Sequence, residues 1–291
     1  MLISTSTNIC NQVLGRSEIY YTCEDALRII AGAGFPAVDL CFVGFGRPGR
    51  VMDTPDWRDW VKKQKELADS LGLITNQAHA HYYPQTYTMD QREEAQAIIR
   101  RDIEAAGMCG VPWIVIHPDS YLEGGNYSRK KSLKLERERF LRLGETAAKF
   151  GVGLAIENMI DNKPLKRFAG SHEDLLELLE LLGDDRLFGI CWDTGHANEN
   201  QNNQGEAIRA IGSHLHALHV NDNHGLADDH TLPYLGNIDW AAVMGALKDI
   251  GYQDGFTYEI HHFTDGMPPA FHPQAVGFAY EMAKYLVSLT Q

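Results

Sequence analysis

The chain has 291 residues, and its 26 Lys and Arg against 39 Asp and Glu give a formal net charge of −13. Such an acidic composition argues against a nucleic-acid partner, because contacts to phosphates require a basic surface. No apolar run is long enough to span a bilayer, and the N-terminus lacks the pattern of a signal peptide. The five cysteines are odd in number and share no CxxC spacing, which favours reduced thiols in the cytoplasm over a disulfide framework.

Short apolar runs alternate with longer amphipathic stretches along the whole chain. The short runs predict strands at 2–7, 37–43, 73–79, 113–117, 152–157, 188–193, 215–220 and 256–260. The longer stretches predict helices at 24–34, 55–71, 89–108, 133–149, 171–183, 203–212, 239–250 and 273–288. Three of these helices begin near a residue suited to capping, namely Thr54, Ser171 and Asp239.

Eight strand–helix units without a break in composition predict one domain over residues 1–291, folded as a closed parallel (β/α)8 or TIM barrel. The alternative is a doubly wound open sheet, which would carry a glycine-rich phosphate loop after an early strand. Residues 44–49 come nearest to such a loop, but Pro48 stands where the helix should open. The barrel is therefore the predicted fold.

Four predicted strands end in a side chain that can bind a metal ion: Glu157, Asp193, His219 and Glu259. Because the carboxyl ends of barrel strands form one face, we expect these side chains to meet there. Three carboxylates and one imidazole form a hard ligand set, which suits Mn²⁺, Mg²⁺, Co²⁺ or Fe²⁺, with Zn²⁺ as a further option. Cys191 precedes Asp193 by two residues and is expected to lie deeper and to pack in the core.

Further polar residues stand at or after the ends of the third, fourth, sixth and seventh predicted strands: His79, His81, His117, His196, Asp228 and His230. They are candidates to hydrogen-bond the metal ligands, to contact the substrate or to bind further metal ions. The remaining histidines are expected to be structural or surface residues: His214, His216, His224, His261, His262 and His272. Within this group, His216 is a candidate for the barrel interior, and His261 is the assignment most open to correction.

Segments 156–158, 192–198, 219–223, 228–230, 236–240 and 258–260 resemble motifs of a known family. It is the xylose isomerase-like barrel family, which includes sugar phosphate isomerases and epimerases and endonuclease IV, and the resemblance covers nearly the whole chain. The resemblance implies that the four strand-end residues hold one divalent ion, often manganese. It also implies that Glu157 and Glu259 exchange the substrate's proton and that His196 contacts a substrate oxygen.

The chemistry of these residue types agrees with that implication. A metal ion that chelates the carbonyl and hydroxyl oxygens of a ketose stabilises an ene-diolate, so a carboxylate can remove the proton beside the carbonyl. Two glutamates on opposite faces of the carbon allow the centre to be inverted, and return of the proton to the neighbouring carbon gives isomerisation. The chain is therefore predicted to be a metal-dependent isomerase or epimerase of a sugar or polyol. A lyase or dehydratase acting on an inosose or a 3-keto-glycoside is the alternative, because it would use the same base and metal.

One departure from the family concerns the substrate. The ketose 3-epimerases that the chain resembles carry an arginine a few residues after the seventh-strand histidine. This chain has Gly225 there, and no Lys or Arg between Arg209 and Lys248. The departure argues against a 3-epimerase, and it favours a neutral sugar or polyol over a phosphorylated one. Aromatic residues after the first four strands are candidates to stack on that sugar: Tyr20, Phe42, Phe45, Tyr82, Tyr83 and Trp113.

A second departure runs toward endonuclease IV, whose three-zinc cluster has a counterpart here for each of its ligands. These are His79, His117, Glu157, Asp193, His196, His219, Asp228, His230 and Glu259. A phosphodiesterase acting at abasic DNA is therefore a third hypothesis, against which the acidic composition argues. A non-catalytic partner subunit is a fourth, which the presence of both glutamates opposes. The eighth helix, with Phe278, Tyr280 and Tyr285, could support a homo-oligomer.

Overall fold

A computed structural model shows eight parallel strands arranged as a barrel, with helices packed around it. It describes residues 1–10, 12–14, 17–19, 21–45, 49–82, 89–123, 126–161 and 166–290. The barrel strands are β1 Leu2–Ser6, β2 Ala37–Cys41, β3 Ile74–His79, β4 Trp113–Ile116, β5 Gly153–Glu157, β6 Phe188–Asp193, β7 Leu215–His219 and β8 Gly255–Tyr258. Each strand pairs with its neighbour in the chain, and β1 also pairs with β8. Two hydrogen bonds join β7 to β8 and close the ring, from Val220 N to Thr257 O (2.8 Å) and from Glu259 N to Val220 O (3.1 Å). The predicted TIM barrel is confirmed.

The helices are α1 Cys23–Gly32, α2 Trp57–Ser70, α3 Met89–Met108, α4 Arg129–Phe150, α5 His172–Leu182, α6 Thr194–Glu199, α7 Gln204–Ile211, α8 Trp240–Asp249 and α9 His272–Ser288. The predicted helices are all present, and α6 is an addition. Helix α4 begins four residues earlier than expected, because the Ser128 side chain accepts a hydrogen bond from Lys131 N. Two short hairpins join Gln12–Leu14 to Ser17–Ile19 and Leu122–Glu123 to Asn126–Tyr127.

The predicted helix caps had mixed outcomes. Asp239 caps α8, since its side chain accepts a hydrogen bond from Ala242 N at 3.0 Å. Ser171 stands at the cap position of α5 without a capping hydrogen bond. The prediction for Thr54 was wrong: α2 begins at Trp57, and the Thr54 hydroxyl donates instead to Val51 O at 2.8 Å. That bond closes the 3-10 turn Val51–Asp53, which the sequence pattern did not reveal.

The helices hold the barrel through apolar stripes that face the sheet. In α5 the stripe recurs every three or four residues and is formed by Leu175, Leu178, Leu179 and Leu182, all of them buried. Burying one such side chain contributes roughly 1.5–3 kcal/mol, so the stripe outweighs the weak intrinsic stability of a short helix. Among the described helices, none combines the length and the apolar character needed to cross a membrane.

The interior of the barrel differs between its two halves. On the β4–β7 side it is filled by small apolar side chains: Val115, Ala155, Cys191 and Ala217. Below them the Trp113 indole stacks on the His216 ring, with centroids 4.1 Å apart. Gly153 makes room for the indole, because a Cβ there would lie 2.3 Å from it. On the β1–β3 and β8 side the interior is polar, formed by Ser4, Asp39, Gln77 and Thr257. Cys191 therefore packs in the core and His216 faces the interior, as the sequence indicated.

Candidate active site

The four strand-end side chains come together at the carboxyl face of the barrel. Glu157, Asp193 and His219 are the last residues of β5, β6 and β7, and Glu259 directly follows β8. All four are buried, and one ligand atom from each lies within 4.8 Å of the others. His219 Nδ1 stands 2.8 Å from Glu157 Oε1, 3.3 Å from Glu259 Oε2 and 4.0 Å from Asp193 Oδ2. The arrangement can hold one divalent cation between three carboxylates and an imidazole.

Helix α6 fixes Asp193 and presents His196. Asp193 Oδ1 accepts a hydrogen bond from His196 N at 2.7 Å, which caps the helix, and Asp193 Oδ2 accepts one from Asn221 at 2.9 Å. Gly195 is required there, because a Cβ at that position would lie 1.9 Å from Asn221 Oδ1. Asn158 adds a paired contact to the Asp193 backbone. These bonds explain why segment 192–198 reads Asp-Thr-Gly-His after its strand.

The loop over residues 221–238 is organised by the buried carboxylate of Asp222. It accepts hydrogen bonds from Tyr234 N at 2.9 Å, Ile238 N at 3.2 Å and the Trp240 indole at 2.8 Å. Gly236 lets the chain pass this close, since a Cβ there would lie 2.2 Å from Asp222 Oδ1. The shape of this loop therefore depends on one side chain, and the loop in turn places Asp228 and His230.

Asp228 and His230 form a second cluster with His196. His196 donates its Nδ1–H to Asn158 O at 2.8 Å, and His230 donates its Nδ1–H to Glu259 O at 2.8 Å. Both Nε2 atoms face Asp228, at 3.7 Å from His196 and 3.1 Å from His230. An unprotonated Nε2 directs a lone pair at the carboxylate, so this geometry needs either protons or a cation between the groups. His230 also has a positive φ of 40°, a conformation that costs energy in a non-glycine residue.

A third cluster uses the other oxygen of Glu157. His79 Nδ1 bonds Ala80 O at 2.8 Å, which leaves its Nε2 facing His117 Nε2 at 3.1 Å. Glu157 Oε2 lies 2.9 Å from His117 Nε2 and 3.4 Å from His79 Nε2. Glu157 thus belongs both to this cluster and to the four-residue group at the strand ends. The structure brings all nine side chains predicted for the site into these three clusters. Glu259 Oε2 also links the first cluster to the second, because it lies 3.3 Å from His219 Nδ1 and 3.7 Å from His230 Nδ1.

Buried charges dominate the electrostatics of the clusters. Burial raises the pKa of Asp193 to about 6, against the opposing effect of His196. Burial also pushes the pKa of Glu259 upward, but His219 and His230 outweigh it and bring that pKa down to about 2. Burial lowers the pKa of His230, but Asp228, together with Glu259 and Asp193, raises it to about 10. The histidines therefore favour the charged form of Glu259, and the carboxylates favour the protonated form of His230.

A cavity of about 320 Å³ opens above the clusters. It is lined by Asn8, Val43, His79, Tyr82, His117, His196, Asp228, His230, Glu259, His261 and His262. No Lys or Arg stands among these described lining residues. The cavity is large enough for a monosaccharide, and its walls offer several hydrogen-bonding groups and one aromatic ring.

Two histidines predicted to be structural or surface residues line this cavity, namely His261 and His262. The prediction was wrong for His261, whereas His262 is an exposed surface residue that stands 2.8 Å from Asp265. The ring of His261 lies 4.1 Å from that of His230, and its Nδ1 is 3.5 Å from Asn8 Nδ2. Burial, followed by the charge of His230, holds the pKa of His261 well below its ordinary value. Their position two and three residues after Glu259 was the available signal, because the loops that follow barrel strands form the active-site face.

Of the remaining candidates, which are His81 and the six aromatic residues, the structure places only Tyr82 at the cavity among those it describes. His81 does not line the cavity; its backbone N donates to Asp102, and its Nδ1 lies 3.2 Å from Val43 O. Of the aromatic candidates, Tyr82 lines the cavity with its ring 4.9 Å from that of His117. Phe42 and Trp113 pack in the protein interior, and Phe45 packs against the Trp60 ring. Tyr20, Tyr83 and residues 46–48 lie outside the described residues.

Comparison with known proteins finds distant relatives of this chain. An uncharacterized protein of Sinorhizobium fredii is 25% identical over 171 residues, which are 58% of this chain and 53% of that protein. The L-ribulose 3-epimerase of Mesorhizobium japonicum is 30% identical over 118 residues, which are 40% of this chain and 37% of the enzyme. The chain therefore spans about half or less of the length of these curated relatives.

Fold and family are consistent with each other. A solved D-tagatose 3-epimerase-like protein superposes with a TM-score of 0.78 at 21% identity, over 100% of this chain and 98% of that one. At this identity the likeness shows a shared fold. The family model of the xylose isomerase-like TIM barrel matches residues 27–282. The chain therefore belongs to the xylose isomerase-like TIM barrel family.

Proposed function

We propose that the protein is a divalent-metal-dependent isomerase or epimerase of a neutral sugar or polyol. The observation that carries the proposal is the convergence of three buried carboxylates on His219 Nδ1 beneath the cavity. Sugar 3-epimerases among the relatives support the carbohydrate class of substrate. The acidic composition and the five unpaired, buried cysteines support a cytoplasmic enzyme with a small-molecule substrate.

The residues present fit a divalent cation. Three carboxylates within 4.8 Å of one another repel strongly in a buried space unless positive charge lies between them. Glu157, Asp193, Glu259 and His219 Nδ1 would hold the ion, with Mn²⁺ the first choice for this oxygen-rich set. When bound, the cation would polarise a substrate carbonyl and so acidify the neighbouring C–H bond.

The chain's own residues would then move the proton. Glu259 lines the cavity and has a low pKa of about 2, so it is ionised and able to accept a proton from the substrate. Glu157 lies directly beneath and is the second carboxylate that can return one. His196 and His230, fixed by their backbone acceptors, would position substrate oxygens with their Nε2 atoms. His79 and His117 would orient the free oxygen of Glu157.

Solvent deuterium exchange tests this proposal. The wild-type protein, loaded with Mn²⁺ and incubated in D₂O with a panel of neutral ketoses, should incorporate deuterium beside the carbonyl of its substrate. Glu259→Gln should slow the exchange by roughly 10²–10⁴-fold, because it removes the base while keeping the shape. Glu180→Gln, an exposed glutamate on α5, is the matched control. Exchange by Glu259→Gln at the wild-type rate would rule out the proposed role.

An elimination reaction begins with the same proton transfer. A lyase or dehydratase acting on an inosose or a 3-keto-glycoside would expel a β-oxygen after the proton is removed. The masses of the products distinguish the two reactions, because elimination loses water or an aglycone whereas epimerisation conserves mass.

A second candidate function is a metal-dependent phosphodiesterase with three ions. The two clusters His79–His117–Glu157 and His196–Asp228–His230 favour it, because each has ligand atoms close enough for an ion of its own. The net charge of −13 opposes a DNA substrate. Metal analysis after dialysis separates the candidates: one tightly held ion per chain supports the isomerase, whereas three ions together with cleavage of an abasic-site duplex support the phosphodiesterase.

A further inference from the structure

Asp39 is a buried carboxylate inside the barrel that none of the roles above uses. It lies within β2 and is fully buried. Gln77 donates a hydrogen bond to Asp39 Oδ2 at 3.2 Å, and Thr257 in turn donates to Gln77 at 3.3 Å. Ser4 completes the row through a bond of 2.7 Å to Thr257. These polar side chains form a connected row beneath the candidate metal site, and Asp39 stands at the end that faces His219.

Asp39 and His219 each have an unsatisfied atom in this buried space. Within the described part of the chain, neither Asp39 Oδ1 nor His219 Nε2 has a hydrogen-bond partner. The two side chains face each other, with His219 Nε2 3.7 Å from Asp39 Oδ2. His219 is also the one basic group within ion-pair distance of Asp39 among the described residues. An isolated buried carboxylate is costly, so this pair is expected to serve a purpose.

The orientation of the His219 imidazole indicates the role of its contact with Asp39. His219 Nδ1 points at the three carboxylates of the candidate metal site and is the atom that would bind the ion. A ligating nitrogen carries no proton, so the proton of the neutral ring must sit on Nε2. Nε2 faces Asp39, and a small movement would bring them to an ordinary N–H···O distance of roughly 2.7–3.2 Å. Cys191 also lies beside His219, but a thiol is a weak acceptor.

We propose that Asp39 is a positioning residue: its carboxylate accepts Nε2–H of His219 and thereby keeps Nδ1 free and aimed at the cation. This inference rests on the proposed metal site. Glu157 supplies the competing interaction, because its Oε1 lies 2.8 Å from Nδ1 and would stabilise the opposite tautomer, with the proton on Nδ1. Asp39 favours the tautomer that can bind metal, and Glu157 favours the one that cannot. Carboxylates that hold a ligating histidine in this way typically raise metal affinity 10–100-fold.

The test compares Mn²⁺ affinity in wild type, Asp39→Asn, Asp39→Ala and the control Ser4→Ala, by competition with a chelator. Ser4 belongs to the same polar row and has no described contact with His219, so Ser4→Ala perturbs the interior without touching the pair. We expect the dissociation constant for Mn²⁺ to rise 10–100-fold in Asp39→Ala, less in Asp39→Asn, and not in Ser4→Ala. The melting temperature of each metal-free variant shows that it is folded, and Asp39→Asn keeps the side-chain shape should Asp39→Ala fail to fold.

A spectroscopic signature separates positioning from a general loss of packing. In the protein loaded with diamagnetic Zn²⁺, nitrogen-15 NMR should show the His219 ring with its proton on Nε2, and this proton signal should be lost in Asp39→Ala. Wild-type Mn²⁺ affinity in both folded Asp39 variants, with an unchanged His219 tautomer, would overturn the inference. Failure of the wild-type protein itself to bind Mn²⁺ would instead overturn the proposed function.

Discussion

Strand β7 carries a histidine near each of its ends, and the two have opposite surroundings. His216, near the N-terminal end, stacks on Trp113 and lies 3.4 Å from Asp254 of a surface loop. His219, at the C-terminal end, is fully buried and has three carboxylates within 4.0 Å of its Nδ1. His216 packs at the N-terminal end of the barrel interior, and His219 lies at the centre of the candidate site.

The surroundings of these two histidines therefore depend on their position along the strand, because the residue type is the same at both ends. At the N-terminal end the neighbouring glycines, Gly153 and Gly189, open space for large rings to pack. At the C-terminal end every strand from β5 to β8 delivers a charged or ionisable side chain, and the following loops add more. The candidate site therefore lies on one face of the barrel, while large rings pack at the other.

The largest effect should come from replacing these two histidines by glutamine. His219→Gln should weaken Mn²⁺ binding by at least about 100-fold, because it removes a ligand at the centre of the site. His216→Gln should leave the affinity unchanged and lower the melting temperature only. Isothermal titration with Mn²⁺ and thermal unfolding of both variants check this. Equal losses of metal affinity in the two variants would contradict the separation of the two ends.

The pH dependence of stability should come from the carboxyl end. Asp228, against the effect of burial, raises the pKa of His230 to about 10, so protonated His230 stabilises the metal-free fold. This stabilisation is fully present below pH 6.5 and is lost as the pH rises toward 10, at a cost on the order of a few kcal/mol. Chemical denaturation of the metal-free protein between pH 6.5 and 10 measures the decline. His230→Gln should flatten it, and an equally steep decline in that variant would assign the effect to other groups.

Two glycines offer a matched pair of smaller effects. A Cβ at Gly195 would lie 1.9 Å from Asn221 Oδ1, and one at Gly189 would lie 2.5 Å from the His216 ring. Alanine at either position should destabilise the fold by about 1–3 kcal/mol through overpacking. Only Gly195→Ala should also weaken Mn²⁺ binding, because Asn221 holds Asp193. Denaturant unfolding and metal titration of both variants test this, and weaker metal binding in Gly189→Ala would count against it.

The smallest effect is expected at the wall of the cavity. His261→Asn keeps a polar group near Asn8 but removes the ring that packs on His230. We expect a several-fold rise in KM for the sugar, with kcat and Mn²⁺ affinity nearly unchanged. The reason is that the His261 ring packs on His230, which is not one of the four proposed metal ligands. Steady-state kinetics decides this, and a fall in kcat at constant KM would place His261 in the chemistry instead.

Much of this arrangement could be predicted from the sequence, for identifiable reasons. Buried strands show as apolar runs, so an acid or histidine at the end of a run marks the carboxyl face, as at Glu157 and Asp193. Helix α6 was not predicted, because Thr-Gly-His-Ala-Asn has little helix propensity and forms a helix only when Asp193 caps it. The role of Asp39 could not be predicted either. Its neighbours Gln77 and His219 are distant in sequence and meet only when the barrel closes.

The central claim is that a divalent cation binds between the ends of β5, β6, β7 and β8. Crystals soaked in Mn²⁺ and measured for anomalous scattering test it most directly. We predict one strong anomalous-difference peak at roughly 2.0–2.4 Å from carboxylate oxygens of Glu157, Asp193 and Glu259 and from His219 Nδ1. Crystals that diffract well yet show no peak at this position, or an ion bound only elsewhere, would contradict it.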